Sequence, residues 1–256
     1  AVGGTRIALL DNFTWGSPEK PDRLGSLLKA CKACYDFAKV FGTPFISGKD
    51  SLYNESPLGP VTPTLLITAV GIIPDIKRAV SVDAKEPDAP LYIVGQSHVE
   101  LGGSEYYRLK GFVGKNVPKV RGIKARKTVD SLSKAIHSGY VKSCHDLSEG
   151  GLAVATAEMA FSGGYGIELD LRKVPIVGSV KRNDFILFSE SNSRFLVEVK
   201  KKCREDFEAQ MKDNVYSIVG RVNKGNRFVI CGLNGKSVVD ASLSELSDAW
   251  KKTLGD

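Results

Sequence analysis

The segment Cys144-His145-Asp146-Leu147-Ser148-Glu149-Gly150-Gly151 packs a histidine, two carboxylates, a hydroxyl and two glycines into consecutive positions. An apolar run from Leu152 to Phe161 follows it and reads as a helix. Ser148 suits the N-cap, because its hydroxyl can accept from an unpaired amide of the first turn. Glycines let the backbone come close to a ligand. A helix N-terminus offers free N–H groups and partial positive charge to a phosphate. Asp146 is of the type that holds the metal accompanying such a phosphate, and Ser148 would contact the phosphate itself. The plain alternative is a capped helix after a tight turn.

Three other stretches carry polar chemistry. Arg6 to Leu10 reads as a buried strand ending at Asp11-Asn12. A carboxylate just past a strand's carboxyl end is a common ligand position in open α/β sheets, and an Asp-Asn turn is the alternative. The short strand Pro44 to Ile46 runs into Ser47-Gly48-Lys49-Asp50-Ser51, a loop with a glycine, an ammonium and a hydroxyl. It is not a Walker A loop, because Asp50 and Thr43 stand where that motif needs Ser or Thr and an earlier glycine. Ser189 to Ser193 is a polar loop between strand-like runs, read as a ligand contact or a hydrophilic turn.

The elements that must position these groups alternate along the chain. A helix with N-cap Asp22 carries Leu24, Leu27, Leu28, Cys31, Tyr35, Ala38 and Phe41 on one stripe and stops at Gly42. Cys31 is therefore expected in the core. Thr64 to Ile73 reads as a long buried strand. The charged, proline-containing span Pro74 to Pro90 marks a domain boundary. Strands are expected at Leu91–Val94, Gly166–Asp170, Asp184–Phe188, Arg194–Val199, Val215–Val219 and Arg227–Ile230. Helices are expected to begin near Gly102–Glu105 and to cover Val129–His137, Arg204–Lys212 and Leu243–Lys252. The alternation argues a two-domain α/β or α+β protein.

Composition bounds the rest. The 256 residues are 42% hydrophobic and 25% charged, ordinary for a soluble globular chain. No apolar run reaches the roughly 18 residues that span a bilayer. The formal charge is +7, but the basic clusters, 115–127 and 200–202, are short and lack an aromatic nucleic-acid pattern. A solvated basic face is the simpler reading, and no nucleic-acid or membrane partner is expected. Five cysteines, an odd number, argue against a disulfide framework. Cys31 and Cys34 form a lone CxxC within a helical pattern. A reducing cytoplasm fits. The chain opens Ala-Val-Gly-Gly without an initiator methionine, as a processed protein or a piece of a longer one would.

Four motifs in one order carry a family resemblance: Leu10-Asp-Asn-Phe-Thr-Trp-Gly-Ser-Pro-Glu-Lys-Pro21, Gly42-Thr-Pro-Phe-Ile-Ser-Gly-Lys-Asp-Ser-Leu-Tyr-Asn-Glu-Ser56, His145-Asp-Leu-Ser-Glu-Gly-Gly-Leu152 and Phe188-Ser-Glu-Ser-Asn-Ser-Arg-Phe195. Together they resemble the synthetase component of phosphoribosylformylglycinamidine synthase (PurL-type), over nearly the whole chain. The match is to the family's C-terminal half. The resemblance implies an α+β, PurM-like fold with two domains. Residues 1–80 would be the remainder of the second A domain, whose sheet pairs with another A domain into a barrel. Residues 86–256 would be the larger second B domain.

The resemblance also implies an activity. ATP, with magnesium, activates the formyl amide oxygen of formylglycinamide ribonucleotide, and ammonia from a glutaminase partner displaces phosphate to give the amidine. Partners would be the N-terminal half of the synthetase, a glutaminase subunit and a small bridging subunit. The isolated chain would expose strand edges and form a homodimer or aggregate. Residue by residue, Asp11 and Gly48 match nucleotide contacts, Ser51 a substrate contact, Asp146 a metal-binding Asp and Ser148 a nucleotide-contacting Ser. Lys49 departs from the magnesium-binding Asn of small-type enzymes. The family's catalytic histidines lie in the half that is absent, so His145 is assigned a core or supporting role. Two alternatives are a related PurM-like ATP-dependent enzyme, such as aminoimidazole ribonucleotide synthase or a selenophosphate synthase-like protein, and a non-catalytic nucleotide-binding half.

Overall fold

A computed structural model describes residues 1–252. They divide into two compact units, Gly4–Pro74 and the remainder, which is Ala1–Gly3 with the chain from Asp75 onward. The smaller unit contains β1 (Thr5–Thr14), α1 (Pro21–Phe41), β2 (Phe45–Ser51), the short strands β3 (Glu55–Ser56) and β4 (Gly59–Pro60), and β5 (Thr64–Ile72). β1 lies centrally in an open three-stranded sheet of order β2-β1-β5. It pairs parallel with β2 and antiparallel with β5. α1 is the crossover that a parallel pair requires. Pro21 starts the helix, where a missing N–H costs nothing. Gly42 ends it in the left-handed conformation, at φ 63°.

Five sequence expectations change in this unit, the first being the N-cap of α1, which is Lys20 and not Asp22 because Pro21 already begins the helix. β1 does not stop at Asp11-Asn12 but continues through both to Thr14. Ser47 to Ser51 is not a loop; it is the second part of β2, held by the parallel register Asp11↔Gly48 through Thr14↔Ser51. The β5 run is not buried: Leu66, Ile67, Val70 and Ile72 are exposed. Likewise no residue of α1 is buried, and Cys31 is exposed rather than core. Apolar periodicity reports what must be covered; three strands and one helix leave much of it uncovered within this unit.

The larger unit contains β6 (Pro90–Val94), α2 (Glu105–Leu109), α3 (Gly122–His137), β7 (Val141–Asp146), α4 (Gly151–Gly163), β8 (Gly166–Asp170), α5 (Asn183–Phe188), β9 (Phe195–Val199), α6 (Arg204–Met211), β10 (Tyr216–Asn223), β11 (Arg227–Cys231), β12 (Ser237–Ser242) and α7 (Leu243–Lys251). Its seven-stranded sheet has the order β12-β11-β8-β10-β6-β9-β7. Successive strand residues point to opposite faces, so β6 sends Leu91 and Ile93 into one core and Tyr92 and Val94 into the other. The first core is closed by Leu152, Met159, Ile186 and Leu243, the second by Leu132, Ile136, Phe207 and Met211. Cover on both faces explains why β6 reads as an uninterrupted apolar run and β9 as one broken only by Glu198.

Asp184–Phe188, expected as a strand, is the helix α5. Periodicity cannot separate a short apolar run from a buried helical turn, and here Ile186 and Leu187 pack into the first core. α3 starts at Gly122, earlier than the apolar pattern indicated. β7 and β12 were not anticipated. No helix of the described residues is long and apolar enough to cross a membrane.

A buried carboxylate ties the 81–88 segment to the sheet. Glu198, on β9, accepts from the Lys85 amide (2.9 Å), the Glu86 amide (2.7 Å) and the Ser143 hydroxyl (2.6 Å). Burial lifts its carboxyl above the ordinary range, while the three donors pull the other way. Both oxygens are acceptors, so Glu198→Gln must set an NH2 group against a donor. The expected cost is about 2 kcal/mol, that of leaving buried donors unpaired. It is read as a lower urea midpoint at an unchanged slope, and an unmoved midpoint would contradict the latch.

Candidate functional site

The motif residues fall into two groups, one in each unit. In the smaller unit, Asp11 of β1 stands beside Gly48 of β2. A Cβ at Gly48 would lie 2.8 Å from the Asp11 Cγ and closer still to its Oδ1. The carboxylate therefore lies over the glycine, and any side chain there would displace it. Burial pushes the Cys34 thiol of α1 up, helped by Cys31 and then by the charge of Asp11. Asp11 is thus near enough to Cys34 of α1 for its charge to be felt there.

Ser51, three residues beyond Gly48, falls on the opposite side of β2 by strand alternation. It is fixed with its neighbours by Asn54, whose side-chain amide donates to Ser51 O (2.6 Å), Ser51 Oγ (3.3 Å) and Trp15 O (3.1 Å). Glu55 holds the preceding loop: it accepts from the Ser17 amide (2.9 Å) and pairs with Lys20 (2.7 Å) and Arg23 (3.4 Å). The Lys20 contact, first of all, keeps the Glu55 carboxyl below its usual range. Asn54 and Glu55 stand within the second sequence motif but were given no role there, because nothing local separates a structural Asn-Glu pair from a turn.

In the larger unit, Asp146 ends β7 and α4 begins five residues later. Ser148 is not the N-cap. That position is Gly150, at φ 74°, with no side-chain cap, while the exposed Ser148 hydroxyl donates to Glu149. An internal carboxylate takes the place imagined for a ligand. Glu190 Oε1 accepts from the Gly150 amide (2.9 Å) and the Glu105 amide (3.0 Å). A Cβ on Gly151 would collide with the carbonyl oxygen of Ser189 and lie 2.9 Å from that of Leu187. The glycine pair lets the chain pack against itself.

The Ser189–Ser193 stretch is therefore not a free ligand loop. Ser189 and Ser191 are buried, and Arg194 is 1% exposed. The Arg194 guanidinium donates to Ser191 O (2.9 Å), Ser97 Oγ (3.0 Å) and Ser189 O (2.5 Å). Burial pulls its pKa down to about 10, still charged at neutral pH.

Asp146 remains accessible, with 60% of its side chain exposed. Among the described residues no three His, Cys, Asp or Glu side chains converge as a metal shell. Magnesium commonly keeps its waters and phosphate oxygens and takes only one or two carboxylates, so Asp146 fits as a single ligand.

His145 faces inward. Its Nε2 lies 2.8 Å from Glu158 Oε2 and its Nδ1 3.5 Å from Asp146 Oδ1. Asp146 and then Glu158 hold the ring above the ordinary histidine range, against its own burial. The 3.5 Å contact is an ion pair too long for a good hydrogen bond, so Glu158 is what orients the ring. Asp146 in turn is held below its usual range, by His145 first.

A profile of the AIR synthase related protein, C-terminal domain, matches residues 86–231. The phosphoribosylformylglycinamidine synthase subunit PurL of Thermococcus sibiricus is 35% identical over 246 residues, which are 96% of this chain and 34% of that protein. That of Methanothrix thermoacetophila is 35% identical over 265 residues, 99% of this chain and 34% of the relative. The chain spans about a third of the length of the curated relatives it matches. Among solved structures, T. maritima PurL complexed with ATP gives a TM-score of 0.73 at 19% identity, over 96% of this chain and 38% of that one. The same protein complexed with FGAR gives 0.76 at 18%, over 96% and 40%. E. coli HypE gives 0.69 at 16%, over 94% and 74%. At such identities the likeness is one of fold, a PurM-like α+β architecture.

The His145 geometry sets a pH dependence. A histidine whose folded pKa is raised stabilises the fold fully below the unfolded value, about 6.5, and loses that contribution as pH rises through the folded value. Asp146, lowered, contributes above its unfolded value of about 3.9 and loses it as pH falls through the folded one. The stability difference between wild type and His145→Gln should therefore be largest from about pH 4.5 to 6.5 and shrink on the alkaline side. NMR titration should place the ring midpoint above about 6.5, with Asp146→Asn and Glu158→Gln each lowering it. A lower wild-type midpoint would refute the pairing.

Proposed function

This chain belongs to the AIR synthase-related protein family, and on that premise we propose that it is the C-terminal half of an ATP-dependent phosphoribosylformylglycinamidine synthase, a cytoplasmic C–N ligase of purine biosynthesis. The observation that carries the reading is the 35% identity to PurL subunits along virtually the whole chain, within one third of their length. Residues up to about 80 would be the remainder of an A domain and residues 86–256 a B domain.

In the proposed reaction the formyl amide oxygen of formylglycinamide ribonucleotide attacks the γ-phosphorus of ATP and ADP leaves. Ammonia then adds to the activated carbon, and phosphate departs with loss of a proton to give the amidine. Such phosphoryl transfer is chiefly positioning and charge neutralisation. Asp11 and Gly48 would contact nucleotide, and the carboxylate lying over a bare backbone supports that role. Ser51 would contact substrate from the other side of β2, with Asn54 fixing its position. Asp146 would supply one carboxylate to magnesium, and the exposed Ser148 hydroxyl a nucleotide contact. Lys49 stands on β2 as a cation, suited to an anionic group and not to a metal.

Partners would be the synthetase's N-terminal half, a glutaminase subunit that delivers ammonia and a small bridging subunit. Leu28, Tyr35, Ile46 and Leu66 leave apolar area exposed on the smaller unit, which supports self-association of the isolated chain as a dimer. A second reading draws on the HypE likeness, which spans most of that chain: a lone two-domain ATP-dependent enzyme of the same superfamily.

Amidine formation from formylglycinamide ribonucleotide, Mg-ATP and ammonia separates the two. The chain alone should be inactive. Mixed with the preceding two-thirds of a PurL relative, it should turn over in an ATP- and ammonia-dependent way. Turnover by the chain alone, or a mixture that co-purifies and stays inert, would overturn the half-synthetase reading.

A further inference from the structure

The larger unit holds a cleft of about 470 Å³ that adjoins the Asp146 motif across Asn192 and Ser193. It opens where β6 ends at Gly95, between the start of α3, the Asn192-Ser193 turn and the α6–β10 connection at 212–215. Its floor is a close backbone approach. A Cβ on Gly95, at φ 98°, would lie 3.1 Å from the Arg194 Cα, and Ser193 itself sits at φ 60°. A non-glycine residue in that region costs energy that the surroundings must supply.

The charge around the cleft is one-sided. Arg121, Lys124, Lys127 and Lys212 line it, against the single carboxylate of Asp213. Arg121 is paired with Glu100 at 2.9 Å. Lys124, Lys127 and Lys212 make no side-chain ion pair among the described residues. Arg121, Lys124 and Lys127 share one face of α3 through their spacing of three. They crowd the helix end that already carries partial positive charge, and no acidic residue occupies the first turn. Left alone, that arrangement is unfavourable; an anion would relieve it.

The neutral groups point the same way. Arg121, the N-cap of α3, makes no side-chain cap, so the amides of the first turn are not capped from within the helix. The buried Asn214 Nδ2, on the cleft wall, has no hydrogen-bond partner among the described residues. Burial first, then the charge of Arg121, holds His98 below the ordinary histidine range, so it lines the cleft as a neutral donor or acceptor. No Phe, Tyr or Trp ring lines the cleft, so it lacks the usual platform for stacking a base.

We infer that this cleft binds a small phosphorylated anion of the pyrophosphate or phosphate-ester class, held by Lys124, Lys127 and Lys212 and the start of α3. Its enclosure fits a small molecule better than a nucleic-acid strand, which needs an open groove with stacking rings. The cleft adjoins the proposed Asp146 and Ser148 contacts across Asn192 and Ser193, but its lysines belong to neither those contacts nor Asp11 and Gly48, so their replacement tests it separately from the half-synthetase reading.

The test uses the whole chain and inorganic pyrophosphate at physiological salt. Calorimetric titration should give one saturable site. Amide shifts should concentrate at Gly95, Ser193 and Val215, leaving Gly48 unmoved. Lys124→Gln with Lys127→Gln should weaken binding at least about tenfold, because charge-assisted hydrogen bonds are the strong ones. Both lysines are exposed, and an unchanged unfolding midpoint verifies that the fold survives. Lys115→Gln with Lys119→Gln, an equal loss of charge outside the cleft, should leave affinity within twofold. No saturable binding at millimolar pyrophosphate, an equal loss in the control pair, or shifts centred elsewhere would each overturn the inference.

Discussion

The larger unit depends on one buried guanidinium. Arg194 could not sit among apolar strands unpaired, since an uncompensated buried charge costs several kcal/mol (about 3–5 when a partner is removed). Its donors are spent on two carbonyls of its own loop and on Ser97. That curls residues 189–194 into a fixed shape. Glu190 is thereby held against the amides of Gly150 and Glu105, and Asn192-Ser193 against Gly95. One cation so positions both the entry to α4 and the floor of the basic cleft. A lysine in its place could not donate in three fixed directions.

The smaller unit runs on a different constraint, the absence of a side chain at Gly48. Parallel register puts that glycine under Asp11, and the strand's alternation puts Ser51 on the opposite face. The motif that looked like one loop thus divides its polar groups between two faces of a sheet. The carboxylate lies over Gly48, and the hydroxyl on the other face is pinned by Asn54. Glycine recurs at Gly151 for a related reason, close approach of one backbone segment to another. In both places the small residue first serves internal packing.

Much of this was legible in the sequence, and the failures share a cause. The apolar run at β6 and the nearly apolar run at β9 identified strands because both faces of the sheet are covered there, whereas β8 showed as alternation, with Ile167 and Leu169 in the core and Glu168 toward solvent. α1 and its stop at Gly42 followed from spacing and a left-handed cap. Asp184–Phe188 failed because five residues cannot separate helix from strand. Cys31 and β5 failed because periodicity shows which surface seeks cover, not whether this chain supplies it. Ser148 was given the cap that belongs to Gly150, since Glu190, forty residues away in sequence, does the satisfying. Ser189–Ser193 looked like solvent-facing polarity because its anchor, Arg194, reads as an ordinary surface charge until its burial is seen.

What remains is whether the accessible polar groups, Asp11 over Gly48 and Asp146 beyond β7, meet a nucleotide while the segments around them serve as scaffold. Calorimetric titration of Mg-ADP into the chain assembled with the rest of a PurL relative decides it. Asp11→Asn and Asp146→Asn should each weaken binding at least about tenfold, a loss of about 1.4 kcal/mol, with the unfolding midpoint unmoved. Ser148→Ala should weaken binding and leave stability within about 0.5 kcal/mol, as for a surface residue that caps nothing. Wild-type affinity in all three variants would contradict the account.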